Sequence, residues 1–391
     1  METIAGARQQ GAIPSPSTAP ASARKASPKL RLNMLDAIRG WAAVQVLFFH
    51  VCHEMFGHAL PELNGLWTNF VFNGAFAVAV FFVLSGEVLA HGYFMRGDLG
   101  IVRKLAIKRY VRLTIPIFVS CLAVFLLMKG DLIFSHQATP ILKRDDWLGA
   151  MLNFEASARS FLSYTLFGVY FDSTPEFKYN PFLWTMSAEM LGSMFVFATL
   201  FLARTTRQRA AVYALTAPFM AIYNPFLLGF TIGMIFGEMR AKGAFERIAA
   251  HPAANWIALF VVVDVALGLS LYPILPVPQG GVAHRITLAA ALFLFAVYSS
   301  RWLQRPFDNT LSHFIGELSF PIYLVHFPII VSLQSFLVVM AFSDGVVTRP
   351  TAYAIMLATL AVVIVAAMAF RLVERFAIRA SNEFFAAIDR L

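Results

Sequence analysis

Between Leu35 and Val373 the sequence is a succession of long apolar runs, broken by short segments that hold most of the lysines and arginines. Most of these runs approach the ~20 residues that an α-helix needs to cross a bilayer. A chain of this kind must satisfy its backbone within each run, because lipid offers no hydrogen-bonding partner. Of the 391 residues, 59% are hydrophobic and 14% charged, and mean hydropathy is +0.68, so there is more apolar surface than a soluble core of this size hides. Phenylalanine occurs 39 times, mostly in charge-free runs that lack the two-residue alternation of an outer-membrane barrel. The expected fold class is therefore all-α, a polytopic transmembrane bundle of about ten helices.

The runs place helices at 36–56, 69–93, 109–128, 182–203, 208–223, 225–239, 254–272, 284–300, 315–340 and 352–373. The fifth and sixth are short and meet at Asn224-Pro225, a turn signal. Residues 1–30, rich in Ala, Ser and Pro with scattered Arg and Lys, read as a disordered basic cytoplasmic tail. Residues 31–380 form one transmembrane domain, and 381–391 a cytoplasmic C-terminal tail. The positive-inside rule tests this count independently. Lys29, Arg103, Arg207, Arg240, Arg301 and Arg375 all fall on one side, whereas the short loops 57–68 and 273–283 on the other hold almost no cations. The expectation is a multi-pass protein of the cell membrane, the inner membrane of a bacterium, with both termini cytoplasmic, residues 94–108 inside, and 57–68 and the long loop 129–181 outside. The net charge of +9 follows this topology and does not point to nucleic acid. Cys52 and Cys121 lie inside apolar runs, so no disulfide framework and no metal-ligand spacing is expected. There is no internal repeat of the kind common in secondary transporters.

Ionisable groups at membrane depth are costly and call for a partner or a task. Arg39 and His50 are eleven residues apart in the first helix, about 20° from one face and about 16 Å apart along the axis. His53 and Glu54 follow at positions expected to touch His50. From spacing alone, the two histidines read either as site residues or as hydrogen-bonding residues between helices. Arg109 and Arg112, with Lys108, read either as a phosphate site or as positive-inside anchors. Glu189 is expected at a depth similar to that of His50. Glu87 is expected to form a structural ion pair, with Arg39 placed to neutralise it. His326 lies in a stretch bent by Pro321 and Pro328, where freed backbone groups commonly line a cavity.

Several stretches together resemble the integral membrane acyltransferase-3 family. Leu35-Asp36-Ala37-Ile38-Arg39-Gly40 with Phe49-His50 is similar to its first-helix signature, an Arg and a His separated by ten residues. Phe81-Phe82-Val83-Leu84-Ser85-Gly86 resembles its second-helix motif, and Arg109-Tyr110-Val111-Arg112 with Pro116 its Arg-x-x-Arg element. Trp184 through Glu189 resembles its Trp-Ser-x-x-x-Glu segment, and Tyr323-Leu324-Val325-His326-Phe327-Pro328 its Tyr-Leu-x-His-x-Pro. Ala37, Glu87, Met190 and Val325 depart from the family pattern, which bears on specificity more than on chemistry.

The resemblance implies an O-acyltransferase that moves an acyl group, often acetyl, from cytoplasmic acyl-CoA to a hydroxyl of a carbohydrate or lipid-linked acceptor. Acetyl-CoA is then a co-substrate, with no bound cofactor and no metal. On this reading His50 and Glu189 are catalytic, while Arg39, Arg109 and Arg112 hold the donor. His53, Trp184, Tyr323 and His326 contact substrate, and Glu189 or Glu54 fixes the tautomer of His50. The competing reading is a transporter or flippase using the same buried charges, and a third is a binding or sensor protein without catalysis.

Overall fold

The computed structural model describes residues 28–172, 178–271 and 282–390. The expected tail up to residue 27 and most of the outer loop at 273–283 lie outside the described residues. Every regular element among the described residues is helical. The chain runs through α1 (Pro28–Phe48), α2 (Gly74–Arg96), α3 (Leu99–Lys129), α4 (Ser135–Leu142), α5 (Thr185–Leu202), α6 (Thr206–Tyr223), α7 (Pro225–Ala241), α8 (Ala254–Leu271), α9 (Val282–Ser299), α10 (Thr310–Ile329) and α11 (Arg349–Ile388). All ten expected helices are present, and α4 is one of several additional short ones. Among the described residues, eight segments are long and apolar enough to cross a membrane. The other two long helices are α6 and α7, the pair divided at Asn224-Pro225.

Local chemistry explains the boundaries. Gly97, at φ +69°, ends α2 in the left-handed conformation that glycine adopts without strain. Asp98 then caps α3 by accepting from the Gly100 amide at 2.7 Å. Thr205 and Gln208 close a capping box on α6, and Asn224 caps α7 from the Phe226 amide at 3.1 Å. Three wide π-type turns interrupt the regular pattern among the described residues, Phe49–Glu54 after α1, Tyr164–Gly168 between α4 and α5, and Ile330–Gln334 after α10.

Small residues set the helix contacts, as expected where lipid gives no hydrophobic drive between helices. A Cβ on Gly40 would lie 2.5 Å from the Gly316 nitrogen, so α1 and α10 touch backbone to backbone. Gly86 and Gly233 do the same for α2 and α7, where an added Cβ would strike the backbone of Phe230 and of Val83 respectively. The outcome is an arrangement in which α1, α2, α3, α5, α10 and α11 surround one interior space.

Three expectations are corrected. The third helix does not open at Lys108; it begins at Leu99 under the Asp98 cap, so Arg103, Lys104 and Lys108 are helical and not part of a loop. The stretch 129–181 contains α4 and further short helices, and it packs into the bundle. At the far end α11 continues to Ile388 through most of the stretch expected to be a tail, with Lys108 bonded to Asn382 at 2.5 Å and Arg103 paired with Asp389 at 3.1 Å.

Candidate active site

The interior space is a cavity of about 390 Å³. Five further residues line it together with His50 and Arg39: Arg109, Arg112 and Glu189, which stand out by type and position, and Trp184 and Tyr323, which the family resemblance implied. At one mouth Arg39 pairs with Asp36 at 3.4 Å, while Glu317 pairs with Arg371. Arg112 also lines this mouth and makes no direct ion pair among the described residues, with the carboxylates of Glu374 and Asp36 as its nearest charged partners across the mouth. Arg109, one turn earlier on α3, is paired with Glu189 of α5, and both side chains are largely buried.

This pairing corrects the expected depth of Glu189. His50 stacks on Phe182, with ring centroids 3.9 Å apart. Phe182 precedes Glu189 by seven residues, about 10 Å along a helix. Glu189 therefore lies nearer the arginine mouth, and it does not hold His50. Glu54 does not hold His50 either. Its carboxylate accepts from Arg144 at 2.8 Å, and its backbone oxygen from the same guanidinium at 2.5 Å. The stretch Phe49–Glu54 is a π-type turn, and partners remote in sequence claim both side chains that were expected to touch His50. His53 donates its Nδ1 hydrogen to the Leu63 carbonyl at 3.1 Å and stacks on Phe49, and it does not line the cavity. The substrate contact expected of His53 is not supported by this position.

The Nδ1 of His50 is buried without a hydrogen-bond partner among the described residues. His326 lies beside it, with ring centroids 5.5 Å apart. His326 is fully buried, its Nδ1 is 2.9 Å from the Ile322 carbonyl, and its Nε2 has no partner. Tyr323 is fixed by its hydroxyl, which donates to the Phe182 carbonyl and meets Thr185, both at 2.8 Å.

Glu87 does form a buried ion pair, but Arg39 is not its partner. Arg240 of α7 lies 2.5 Å from one carboxylate oxygen, and Tyr298 of α9 donates to the other at 2.8 Å. The close α2–α7 contact brings Arg240 to Glu87 and leaves Arg39 to the cavity. This triad is structural.

Sequence reasoning missed the residues that cover His50 from the side opposite the arginines. Trp147 lies with its ring centroid 5.7 Å from His50, in nearly parallel planes. The Arg144 guanidinium sits 5.4 Å over Trp147 and bonds Asp146 at 3.0 Å as well as Glu54. Burial pulls the Asp146 carboxyl upward, but Arg144 outweighs it and holds that carboxyl below its ordinary value. The signal was Arg144-Asp145-Asp146-Trp147, an aromatic among charges in a stretch read as loop.

Among the described residues, no group of histidine, cysteine and carboxylate side chains is arranged to hold a metal ion. Comparison with known proteins bears on this arrangement. Residues 32–368 match the acyltransferase-3 family, described as an acyltransferase domain. The chain is 28% identical over 323 residues to Nodulation protein 10 of Rhizobium leguminosarum bv. viciae, covering 75% of this chain and 82% of that protein. No solved structure matches.

Proposed function

This chain belongs to the integral membrane acyltransferase-3 family, and from that premise we propose that it transfers an acetyl group from cytoplasmic acetyl-CoA to a hydroxyl of a carbohydrate or lipid-linked acceptor. It is a multi-pass membrane O-acyltransferase. The observation that carries the finer reading is a cavity that joins arginines at one mouth to a histidine at its depth whose Nδ1 is without a hydrogen-bond partner among the described residues. Its volume falls within the range of ordinary ligand pockets, roughly 300 to 1,000 Å³. The basic mouth faces the cytoplasm by the positive-inside rule, which also puts both termini there, in the inner membrane of a bacterium.

In this reading Arg112 and Arg39 take the phosphates of coenzyme A, since guanidinium forks suit phosphate oxygens. The pantetheine arm runs down the cavity past Trp184 and Tyr323 towards His50. His50 takes the proton of the acceptor hydroxyl as the oxygen attacks the thioester carbonyl. Collapse of the tetrahedral intermediate breaks the carbon–sulfur bond, and the departing thiolate recovers the proton from His50. The products are an ester and free coenzyme A. Arg109 and Glu189 brace the wall between donor mouth and reacting centre.

The test is acyl transfer by the purified protein in detergent, with labelled acetyl-CoA and a panel of glycan and glycolipid acceptors. Acceptor-dependent release of thiol with label in the acceptor is the expected result. Transport of a polar solute by reconstituted vesicles, with no thiol release and no acyl exchange from any acyl-CoA tried, would overturn it.

A further inference from the structure

His50 and His326 each carry one buried, unpartnered ring nitrogen, Nδ1 on the first and Nε2 on the second. A buried polar atom without a partner is costly, so two such atoms on neighbouring rings call for an explanation. The carbonyl of Ile322 can only accept, so the His326 Nδ1 at 2.9 Å must carry the hydrogen. The His326 Nε2 is therefore a lone pair in search of a donor. The ring centroids are 5.5 Å apart with planes 28° from parallel, within reach of a shared bond after a small ring rotation or through one water. Phe182 lies against both rings, at 3.9 Å and 4.8 Å between centroids, and limits how they tilt.

We propose that His326 is a positioning residue that accepts the Nδ1 hydrogen of His50, fixing the tautomer in which the His50 Nε2 lone pair faces the cavity. This inference rests on the reading of His50 as the base. The carboxylates that would otherwise do this are committed elsewhere, Glu189 to Arg109 and Glu54 to Arg144. A neutral imidazole also suits the site, because the resting pair carries no net charge into the membrane interior. When His50 takes the acceptor's proton, the bond to His326 becomes charge-assisted and so strengthens as the reaction proceeds. Pro328 supports the placement. Lacking an N–H, it frees the Leu324 carbonyl, which accepts from Ser120 at 2.7 Å and Asn180 at 3.5 Å and ties α10 to α3 beside His326.

The experiment compares His326→Leu, His326→Gln and His50→Gln in the full-length purified enzyme, following kcat, donor KM and thermal midpoint. It adds the nitrogen-15 spectrum of labelled histidine, with the His50 signals assigned by their loss in His50→Gln. The Leu variant should lose about 10- to 100-fold in kcat with donor KM unchanged, as for other residues that orient a reacting group. The Gln variant, whose amide oxygen can accept the same bond, should recover most of that rate. The spectrum of the unsubstituted enzyme should show His50 protonated at Nδ1 and bare at Nε2. Full kcat in His326→Leu, equal loss in folded Leu and Gln variants, or a His50 protonated at Nε2 would each overturn the inference. The tautomer decides the matter even if the Leu variant fails to fold. Near-normal turnover in His50→Gln would instead remove the reading on which it rests.

Discussion

One helical turn separates Arg109 from Arg112 on α3, yet their surroundings assign them different work. Arg112 faces the cavity without an ion pair, whereas Arg109 is committed to Glu189. Arg112→Lys keeps the charge but loses the planar fork, and should raise the donor KM about tenfold while leaving the thermal midpoint unchanged. Arg109→Gln should instead leave the Glu189 carboxylate buried and uncompensated, at about 3–5 kcal/mol. That loss should appear as a lower melting temperature in detergent, and adding Glu189→Gln should restore most of it. Equal effects of the two single substitutions on donor KM would contradict this division. The Arg-x-x-Arg pair stood out in the sequence, and both arginines line the cavity, but the partner of each guanidinium was not legible. Partners come from helices remote in sequence, and a four-residue motif does not specify the rotation of α5 against α3.

At the scale of elements, the helices were legible because apolar length and caps are local properties, and those of the crossing runs are strong here. The structured segment between α3 and α5 was not legible, since its helices are short and their order comes from contacts such as Arg144 with Glu54. This segment brings Trp147 over His50, and the flat ring suits the apolar face of a sugar. Trp147→Ala should raise the acceptor KM and leave the donor KM unchanged, measured by varying each substrate in turn; a shift in donor KM alone would contradict it. The π-type turn was likewise invisible to a calculation at 100° per residue, and so were the remote partners, the Leu63 carbonyl and Arg144, that hold His53 and Glu54. Close helix contacts give a separate prediction. Gly86→Val would drive a side chain into the Phe230 backbone, which cannot rotate aside as a side chain can. The loss should exceed the ~1–3 kcal/mol typical of overpacking, and size-exclusion in detergent should show aggregation.

For the whole molecule, the alternation of apolar runs and basic segments sets both the bundle and its direction in the membrane. Cys52 and Cys121 are both buried, so thiol labelling starts from a quiet background. Asn64→Cys should react with an impermeant reagent in intact cells, and Arg103→Cys only after the inner face is opened. Labelling of both from the same side would overturn the helix count, and labelling of Arg103→Cys alone in intact cells would reverse the orientation on which the donor assignment depends. The family and the bundle were legible because apolar runs and ordered short motifs are local features of the sequence, and the charged lining of the cavity because ionisable groups at membrane depth stand out. The route between them was not, because it arises only where six helices meet. The central claim is that His50, at the deep end of that cavity, is the base for acyl transfer. Its most direct measurement is the single-turnover rate of acetyl transfer by purified protein carrying His50→Gln, at saturating donor and acceptor. The account predicts a loss of about 10² to 10⁴ with donor binding intact, whereas a rate near that of the unsubstituted enzyme would contradict it.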